Sequence, residues 1–469
     1  MKTSILSLVA IFFCLTIANA QFNSFDLSKY KTADYARQML TLSGDVSGNY
    51  SESKSDGLDH YNKNFQPNFD INYLLVKNKR KVQQKINAGL TLKPTTYSYH
   101  SSSSSLNNFY SRSREDRSDG SFYFDSENRF YFKTNQFFEL RPGGNLFAYY
   151  TKADLKNVNN PNTNEQSDSQ RNLDGYFTVP IGVGFGRLEN VEDARMAVLM
   201  IEDLYKNNKI SKDINDEDIL LFAEKITKLR NMRHFDARKR RIYEIQAIDS
   251  FLRNNAYSNS QDAVYFASLY DNWEYANNPF RLSGYRLTIG VDPNLDYSIN
   301  NYLSVRKNYN FSKGAGVFIR GELEKPLSLK WQRSFWFTGG YSITQTKSVS
   351  KYTNSVENKS TVDNSRVYLR GSVGMGFYPD TRSYFRISLD PAVWKTWHNY
   401  DMSSNSEDSE DLTFNIYLNL NGYLYVSERF NVNYNISTSY NGVDFEHSSL
   451  TKNHNFATSF NLSCSYSIF

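Results

Sequence analysis

A chain that alternates apolar and polar residues over ten or more positions, again and again, has few folds open to it. From Arg281 onward this sequence does so repeatedly. Leu412, Phe414, Ile416, Leu418 and Leu420 are separated by Thr413, Asn415, Tyr417 and Asn419. Phe430, Val432, Tyr434 and Ile436 alternate with Asn431, Asn433 and Asn435. Phe456, Phe460, Leu462 and Cys464 alternate with Ser459, Asn461 and Ser463. A period of two sends successive side chains to opposite faces of a β-strand. Strands in soluble domains run about five or six residues, whereas a strand that crosses a bilayer needs about 9–11. One face here is aliphatic and aromatic. The other is Asn, Ser, Thr, Gly and some charge, which suits an apolar wall toward lipid and a wet interior. A soluble β-sandwich also alternates, but with shorter strands and closer turns.

Composition narrows the choice further. The 469 residues include 35 Tyr and 33 Phe but only 5 Trp. Mean hydropathy is −0.61. A multi-span helical protein needs repeated apolar runs of about 20 residues, and only the stretch from Ile5 to Ile17 approaches one. So many aromatic residues also argue against a disordered chain. The net charge of +5 is a mild excess at this length and implies no nucleic-acid partner.

The start reads as an export signal. Lys2 precedes the apolar stretch, and Ala18-Asn19-Ala20 is a small-x-small cleavage pattern. Residues 1–20 are therefore the expected signal peptide, with cleavage before Gln21. Cys14 follows Ile11-Phe12-Phe13, which are too bulky for a lipidation site. Cleavage leaves Cys464 alone, so no internal disulfide is expected.

The pattern predicts six strands in the first part of a barrel, residues 21–189. They fall near 39–50, 66–77, 83–99, 119–133, 135–150 and 172–187. Eight more are predicted in the second part, residues 277–469, near 280–297, 314–325, 332–346, 364–378, 382–394, 410–426, 429–441 and 455–468. The expected fold is mainly β, an antiparallel transmembrane barrel of about 14 strands. Long polar loops are expected near 51–65, 100–118, 151–171, 298–313, 347–363, 395–409 and 442–454, with short turns between them on the other rim.

With this pattern the chain resembles the outer-membrane β-barrel proteins of Gram-negative bacteria. The resemblance covers most of the mature chain, without a specific subfamily. Phe469 ends the chain on an aromatic, as that class does, although it falls on the opposite face from Tyr466 and Ile468. The Tyr- and Asn-rich style resembles proteins of the Bacteroides–Flavobacterium group. The resemblance implies a bacterial outer-membrane location. It also implies contact with outer-membrane lipid and lipopolysaccharide, and assembly by the barrel-assembly machinery.

Between residues 190 and 276 the period changes to that of helices. Asn190 is a plausible N-cap before Glu192 and Asp193. The first stripe is Val191, Ala194, Val198, Ile201 and Leu204–Tyr205. Asn215 opens a second helix with Ile219, Phe222–Ala223, Ile226 and Leu229. A third carries Phe235, Ile242, Ile245, Ile248 and Leu252, and a fourth covers Asp262 to Tyr275. Such stripes predict a small bundle with its own core, separable from the sheet. Strand parity places this insert between strands six and seven, at the periplasmic rim or inside the lumen. Arg233, Arg238, Lys239, Arg240 and Arg241 form a basic segment within it, beside His234. A solvated helix face is the plain reading. Contact with lipid headgroups, an acidic periplasmic partner or the lumen wall is the functional one.

No phosphate loop, dinucleotide fingerprint, Gly-x-Ser-x-Gly elbow or His-Glu-x-x-His motif is present. No catalytic residue, metal or cofactor is assigned. His60, His100, His398, His447 and His454 fall in or beside predicted outer loops. Asp59–His60 and Glu446–His447 place a carboxylate beside an imidazole, so an outer-rim hydrolase is a third reading. Glu407, Asp408, Glu410 and Asp411 form an acidic run that could hold Ca²⁺. Arg320, Glu322, Glu324, Arg370, Arg386 and Asp390 share the polar phase of their strands, which makes them candidate lumen-lining residues. The expected function is a passive or gated pore for small polar or amphipathic solutes, with the helical insert as the candidate gate. The alternative is a docking barrel whose insert binds a periplasmic protein.

Overall fold

The alternating segments form strands that run well beyond the predicted ends. The computed structural model describes residues 25–55, 58–103, 109–157, 166–232, 237–274, 281–302, 306–352, 357–402, 406–427, 430–445 and 453–466. The expected signal peptide, His234, His447 and Phe469 lie outside them. In chain order the first strands are β1 (Tyr35–Ser55), β2 (Leu58–Lys79), β3 (Val82–Ser103), β4 (Phe109–Tyr131), β5 (Gln136–Leu140), β6 (Gly143–Asn157), β7 (Gln166–Thr178) and β8 (Ile181–Asn190). After the helices come β9 (Leu282–Val291), β10 (Asn294–Tyr302), β11 (Arg306–Pro326), β12 (Trp331–Tyr352), β13 (Asn358–Phe377), β14 (Ser383–Met402), β15 (Ser406–Ser427), β16 (Phe430–Phe445) and β17 (Asn453–Tyr466).

Every pairing is antiparallel. β1 to β4 pair in sequence. β4 then pairs with both β5 and β6, β5 with β8, and β6 with β7. β8 pairs with β9, β7 with β10, and both β9 and β10 with β11. From β11 to β17 the pairing is again sequential.

Seventeen strand segments stand against the fourteen predicted strands, and proline explains the difference. β5 and β6, β7 and β8, and β9 and β10 are each separated by two residues ending in Pro142, Pro180 or Pro293. Proline has no N–H to give to a ladder. The register nevertheless continues across each gap, with Asn128 opposite Leu140 and Asp125 opposite Gly143. Single bonds bridge the interruptions: Ser126 N–H to Pro142 O (3.0 Å), Arg141 N–H to Pro180 O (2.9 Å) and Val179 N–H to Pro293 O (3.0 Å).

Most of the predicted polar loops are also strand. Glu52 pairs with Tyr61, His100 with Arg112, and Lys347 with Thr361. A ladder is built from backbone groups, so Ser-, Asn- and Asp-rich sequence extends it as readily as apolar sequence. Polarity therefore overstates the length of the outer loops.

The two faces of the sheet have exchanged the roles they play in a soluble protein. On β9, Thr288 is buried while Leu287 and Ile289 are exposed. On β12, Ser334 and Thr338 are buried and Phe335 is exposed; on β13 Ser372 is buried and Val373 exposed. On β15, Thr413 is buried between exposed Leu412 and Phe414. The polar face is the sheltered one.

The helical stretch forms α1 (Glu192–Lys206), α2 (Asp216–Arg230), α3 (Ala237–Asn254) and α4 (Ala263–Glu274). None is long and apolar enough to cross a membrane. Asn215 caps α2 through a reciprocal box with Asp218. The Asn190 side chain accepts from Glu192 N–H at 3.0 Å, although the N-cap position is Val191. Val191, Ala194, Val198, Ile201, Leu204, Phe222, Ile226, Ile248 and Leu252 are buried together, as their spacing predicts. Tyr205 and Ile242 are exceptions. Both are exposed.

The bundle is less self-contained than its stripes suggest. Phe25, Leu27 and Tyr30 enter its core from before β1, and Leu329 enters from the turn between β11 and β12. The Tyr30 hydroxyl lies 2.6 Å from Thr227 Oγ1, and Lys29 pairs with Asp216 at 2.7 Å. Fully buried Arg195 pairs with Glu192 (2.7 Å) and donates to the carbonyls of Leu329, Tyr378 and Asp380. Arg281 donates to the carbonyls of Ser328, Leu329 and Trp331. Burial and the neighbouring Arg195 guanidinium push Arg281 down to about 10. Two turns on one rim of the sheet thus hold α1 in place.

Leu27 is 1% exposed in this core. Leu27→Ala is expected to cost about 2–5 kcal/mol and to lower the melting temperature of the helical signal in circular dichroism. An unchanged melt would show that residues 25–30 are not part of the bundle.

Candidate functional site

The sheltered polar face holds a belt of charge on β4, β5, β9 and β11. Alternation brings Glu127 and Arg129 to one face of β4, and Arg320, Glu322 and Glu324 to the matching face of β11. Arg129 Nε donates to Glu139 Oε2 at 2.7 Å, and its Nη2 to Glu127 at 3.1 Å. Arg141 reaches the other oxygen of Glu127 at 2.6 Å. Arg320 meets Glu139 at 3.3 Å, and Arg286 pairs with Glu322. Glu324 accepts from Gln332 Nε2 at 2.9 Å.

Arg129 is 5% exposed and Glu139 1%. Ions this deep lose several kcal/mol of hydration each, so removing one partner typically costs about 3–5 kcal/mol. Glu127 and Glu139 each meet two guanidinium groups, Glu322 meets one, and Glu324 is answered by the Gln332 amide. This belt borders a cavity of about 450 Å³ lined by Arg141, Arg286, Arg320, Glu322, Glu324 and Arg370, among others.

Four of the six lumen-lining residues expected from sequence, Arg320, Glu322, Glu324 and Arg370, meet at this cavity. Arg386 does not line the cavity; it lies 3.5 Å from Ser334 Oγ, the strand partner of Glu324. Asp390 accepts from Asn419 (2.7 Å) and Ser388 (3.2 Å) and does not reach the belt. Sequence reasoning missed Glu127, Arg129, Glu139, Arg141 and Arg286. The signal was present, since Glu127 and Arg129 stand two apart on the polar phase of β4.

Among the described residues of the insert's basic segment, the ion pairs stay within the helices. Arg240 pairs with Glu244 (2.7 Å), and Arg241 with Glu274 (2.6 Å), inside the bundle. Arg233 lies outside the described residues, as do the side chains of Arg238 and Lys239.

The other candidates separate by strand geometry. Glu410 and Asp411 point to opposite faces of β15, where Lys395 takes Glu410 at 2.9 Å and His398 takes Asp411 at 2.7 Å. No cluster of three metal-ligating side chains occurs among the described residues. Asp59 and His60 are strand neighbours and face opposite ways; His60 lies 3.4 Å from Tyr99 Oη instead. His398 borders a larger cavity of about 1240 Å³ with Asn364, Asp363 and Trp397. Its two ring nitrogens are occupied by Asn364 (2.6 Å) and Asp411 (2.7 Å). That arrangement leaves neither nitrogen to activate a nucleophile.

Comparison with known proteins adds little to the geometry. No family model matches the chain, and no curated protein matches it. Among solved structures, the CymD monoaromatic hydrocarbon channel aligns over 96% of this chain and 94% of its own length. The identity is 9% and the TM-score 0.15, a level that carries no argument about fold or function.

Proposed function

We propose that this chain is an exported outer-membrane β-barrel whose lumen passes small polar or amphipathic solutes. The observation that carries the reading is the exchange of faces: the sheet shelters its polar side and exposes its apolar one. A soluble sheet protein would lose stability from that arrangement, whereas in a bilayer each face meets a matching solvent. Counting β5 with β6, β7 with β8 and β9 with β10 gives fourteen traverses. β1 and β17 then close the barrel, with the polar face as its lumen and the longer hairpins on the outer side. The belt around Arg129 and Glu139 stiffens the lumen near one end, and Arg370 faces the passing solute. The helical insert lies beneath the periplasmic rim, held by Arg195 and Arg281.

A docking role for the barrel is the second reading. It is favoured by the insert's polar contacts, which go to the rim turns rather than to the belt.

Closure has a direct chemical probe, because Cys464 is exposed on β17. Cysteines placed one at a time at Ala36, Gln38, Leu40 and Leu42 of β1 are expected to include one that forms a disulfide with Cys464, read as a shift in gel mobility. Failure across the whole series would leave the sheet open.

Lipid contact is tested by arginine substitution. Leu418 is 42% exposed on the apolar face of β15, while Asn419 donates to Asp390 on the polar face. Leu418→Arg is expected to cost roughly 2–4 kcal/mol in the bilayer and to reduce the heat-modifiable folded band. Asn419→Arg is expected to fold. Equal tolerance of both would remove the membrane reading.

Transport is read by single-channel conductance of the refolded chain in planar bilayers. Arg370 makes no ion pair among the described residues. Arg370→Ala is therefore expected to change stability by less than about 0.5 kcal/mol while shifting the reversal potential in a salt gradient. Arg129→Ala, which strands Glu139, is expected to cost about 3–5 kcal/mol. A folded chain that conducts nothing, with or without residues 190–276, would favour the docking role.

A further inference from the structure

The ion pairs of the belt leave a remainder. They tie Glu127, Glu139 and Glu322 to four arginines, which is one positive charge in excess. Arg370 makes no ion pair among the described residues, and neither do Glu324 and Asp125. All three line the cavity of about 450 Å³, a volume in the usual range for a small-molecule site. With them the belt is neutral as a whole, yet it holds a free guanidinium and free carboxylates apart from one another. A solute of net charge would upset that balance, whereas one carrying both charges at its two ends would complete it.

Strand register sets the spacing. Glu324 of β11 stands opposite Ser334 of β12, and Arg370 of β13 stands opposite Thr338 of β12. Four residues along the strands and two strands across put their Cα atoms about 16 Å apart. Side chains stand roughly perpendicular to a sheet, so the charged heads keep a similar separation. Trp336 lies between the two levels and lines the same cavity. Its phase of β12 otherwise reads Gln332, Ser334, Thr338, Gly340 and Ser342, so the indole is the apolar surface on that stretch of wall. Asp125 borders the cavity from β4, outside this register.

Taking the polar face as a lumen, as under Proposed function, we propose that this cavity binds a short zwitterionic peptide of about three residues, with its carboxylate on Arg370, its ammonium on Glu324 and its backbone across Trp336. An extended tripeptide spans about 10 Å, and a charge-assisted hydrogen bond of about 2.8 Å at each end brings the reach to about 16 Å. A free amino acid carries its two charges on one residue and cannot reach both groups.

The test uses the full chain refolded in detergent micelles, titrated by calorimetry with trialanine, N-acetyl-trialanine and trialanine amide. Trialanine is expected to bind. Each blocked peptide is expected to bind about ten- to a hundredfold more weakly, because each loses one charged hydrogen bond. Arg370→Gln is expected to abolish the penalty for amidation and keep the penalty for acetylation, and Glu324→Gln to do the reverse. Equal affinity for the three peptides, or no binding of trialanine, overturns the proposal. An acetylation penalty that survives Glu324→Gln overturns the placing of the ammonium and moves it to Asp125. Single-channel recording of the same preparation keeps this site and the pore reading apart. If the chain conducts ions while trialanine neither binds nor lowers the current, the pore stands and the peptide site falls. If trialanine binds while nothing conducts, the site stands and the pore falls.

Discussion

The antiparallel ladder carries in this chain what an apolar core carries in most domains. Neighbouring strands run up to about twenty residues in unbroken register, as between β11 and β12 from Arg306 opposite Tyr352 to Pro326 opposite Gln332. Each backbone donor along that length has an acceptor, so the strand needs no particular side chain to persist. The side chains are free to be sorted by face instead. Apolar residues go to one side and polar residues to the other, and the polar side is the sheltered one. Once it does, ions such as Arg129 and Glu139 become buried and must answer one another. The belt is a consequence of the inversion rather than a separate addition.

The parts of the fold legible in the sequence were those written as a period. Leu412 to Leu420 announced their strand and their exposed face, and Val191 to Leu204 announced a buried helix stripe. The ends of the strands were not legible. Glu52 and Tyr61 pair although neither belongs to an apolar run, because ladder bonding leaves no trace in hydropathy. Half of the candidate site was read from β11 and β13, where Arg320, Glu322, Glu324 and Arg370 keep the polar phase. Its other half, on β4 and β5, went unread because Glu139 reaches the belt only through pairings between distant parts of the chain. Ile242 shows the opposite failure. Its spacing is that of a core residue, but spacing records which face of a helix is apolar and not whether anything covers that face.

The helices show how a module can be foreign in period and still be integrated. Its core borrows Phe25, Leu27 and Tyr30 from ahead of the first strand and Leu329 from the turn between β11 and β12. Two buried guanidinium groups, Arg195 and Arg281, then share the carbonyls of those turns with one nearby carboxylate, Glu192. Their charge is costly there, and the turn geometry must be kept for the carbonyls to offset it. The sheet's rim and the bundle therefore constrain each other's shape.

Pro142, Pro180 and Pro293 sit at one level on three successive traverses of the sheet. Each leaves an opposing carbonyl, those of Ser126, Arg141 and Val179, without the N–H that a ladder would supply. Three adjacent seams thus each lack a bond at the same height, just above the belt of ion pairs. A sheet is stiff across its strands because its bonds are shared along their length. Here the wall carries a built-in crease. Shear meets the fewest bonds along that line, while β4 and β11, unbroken on either side of it, hold the charged side chains in place.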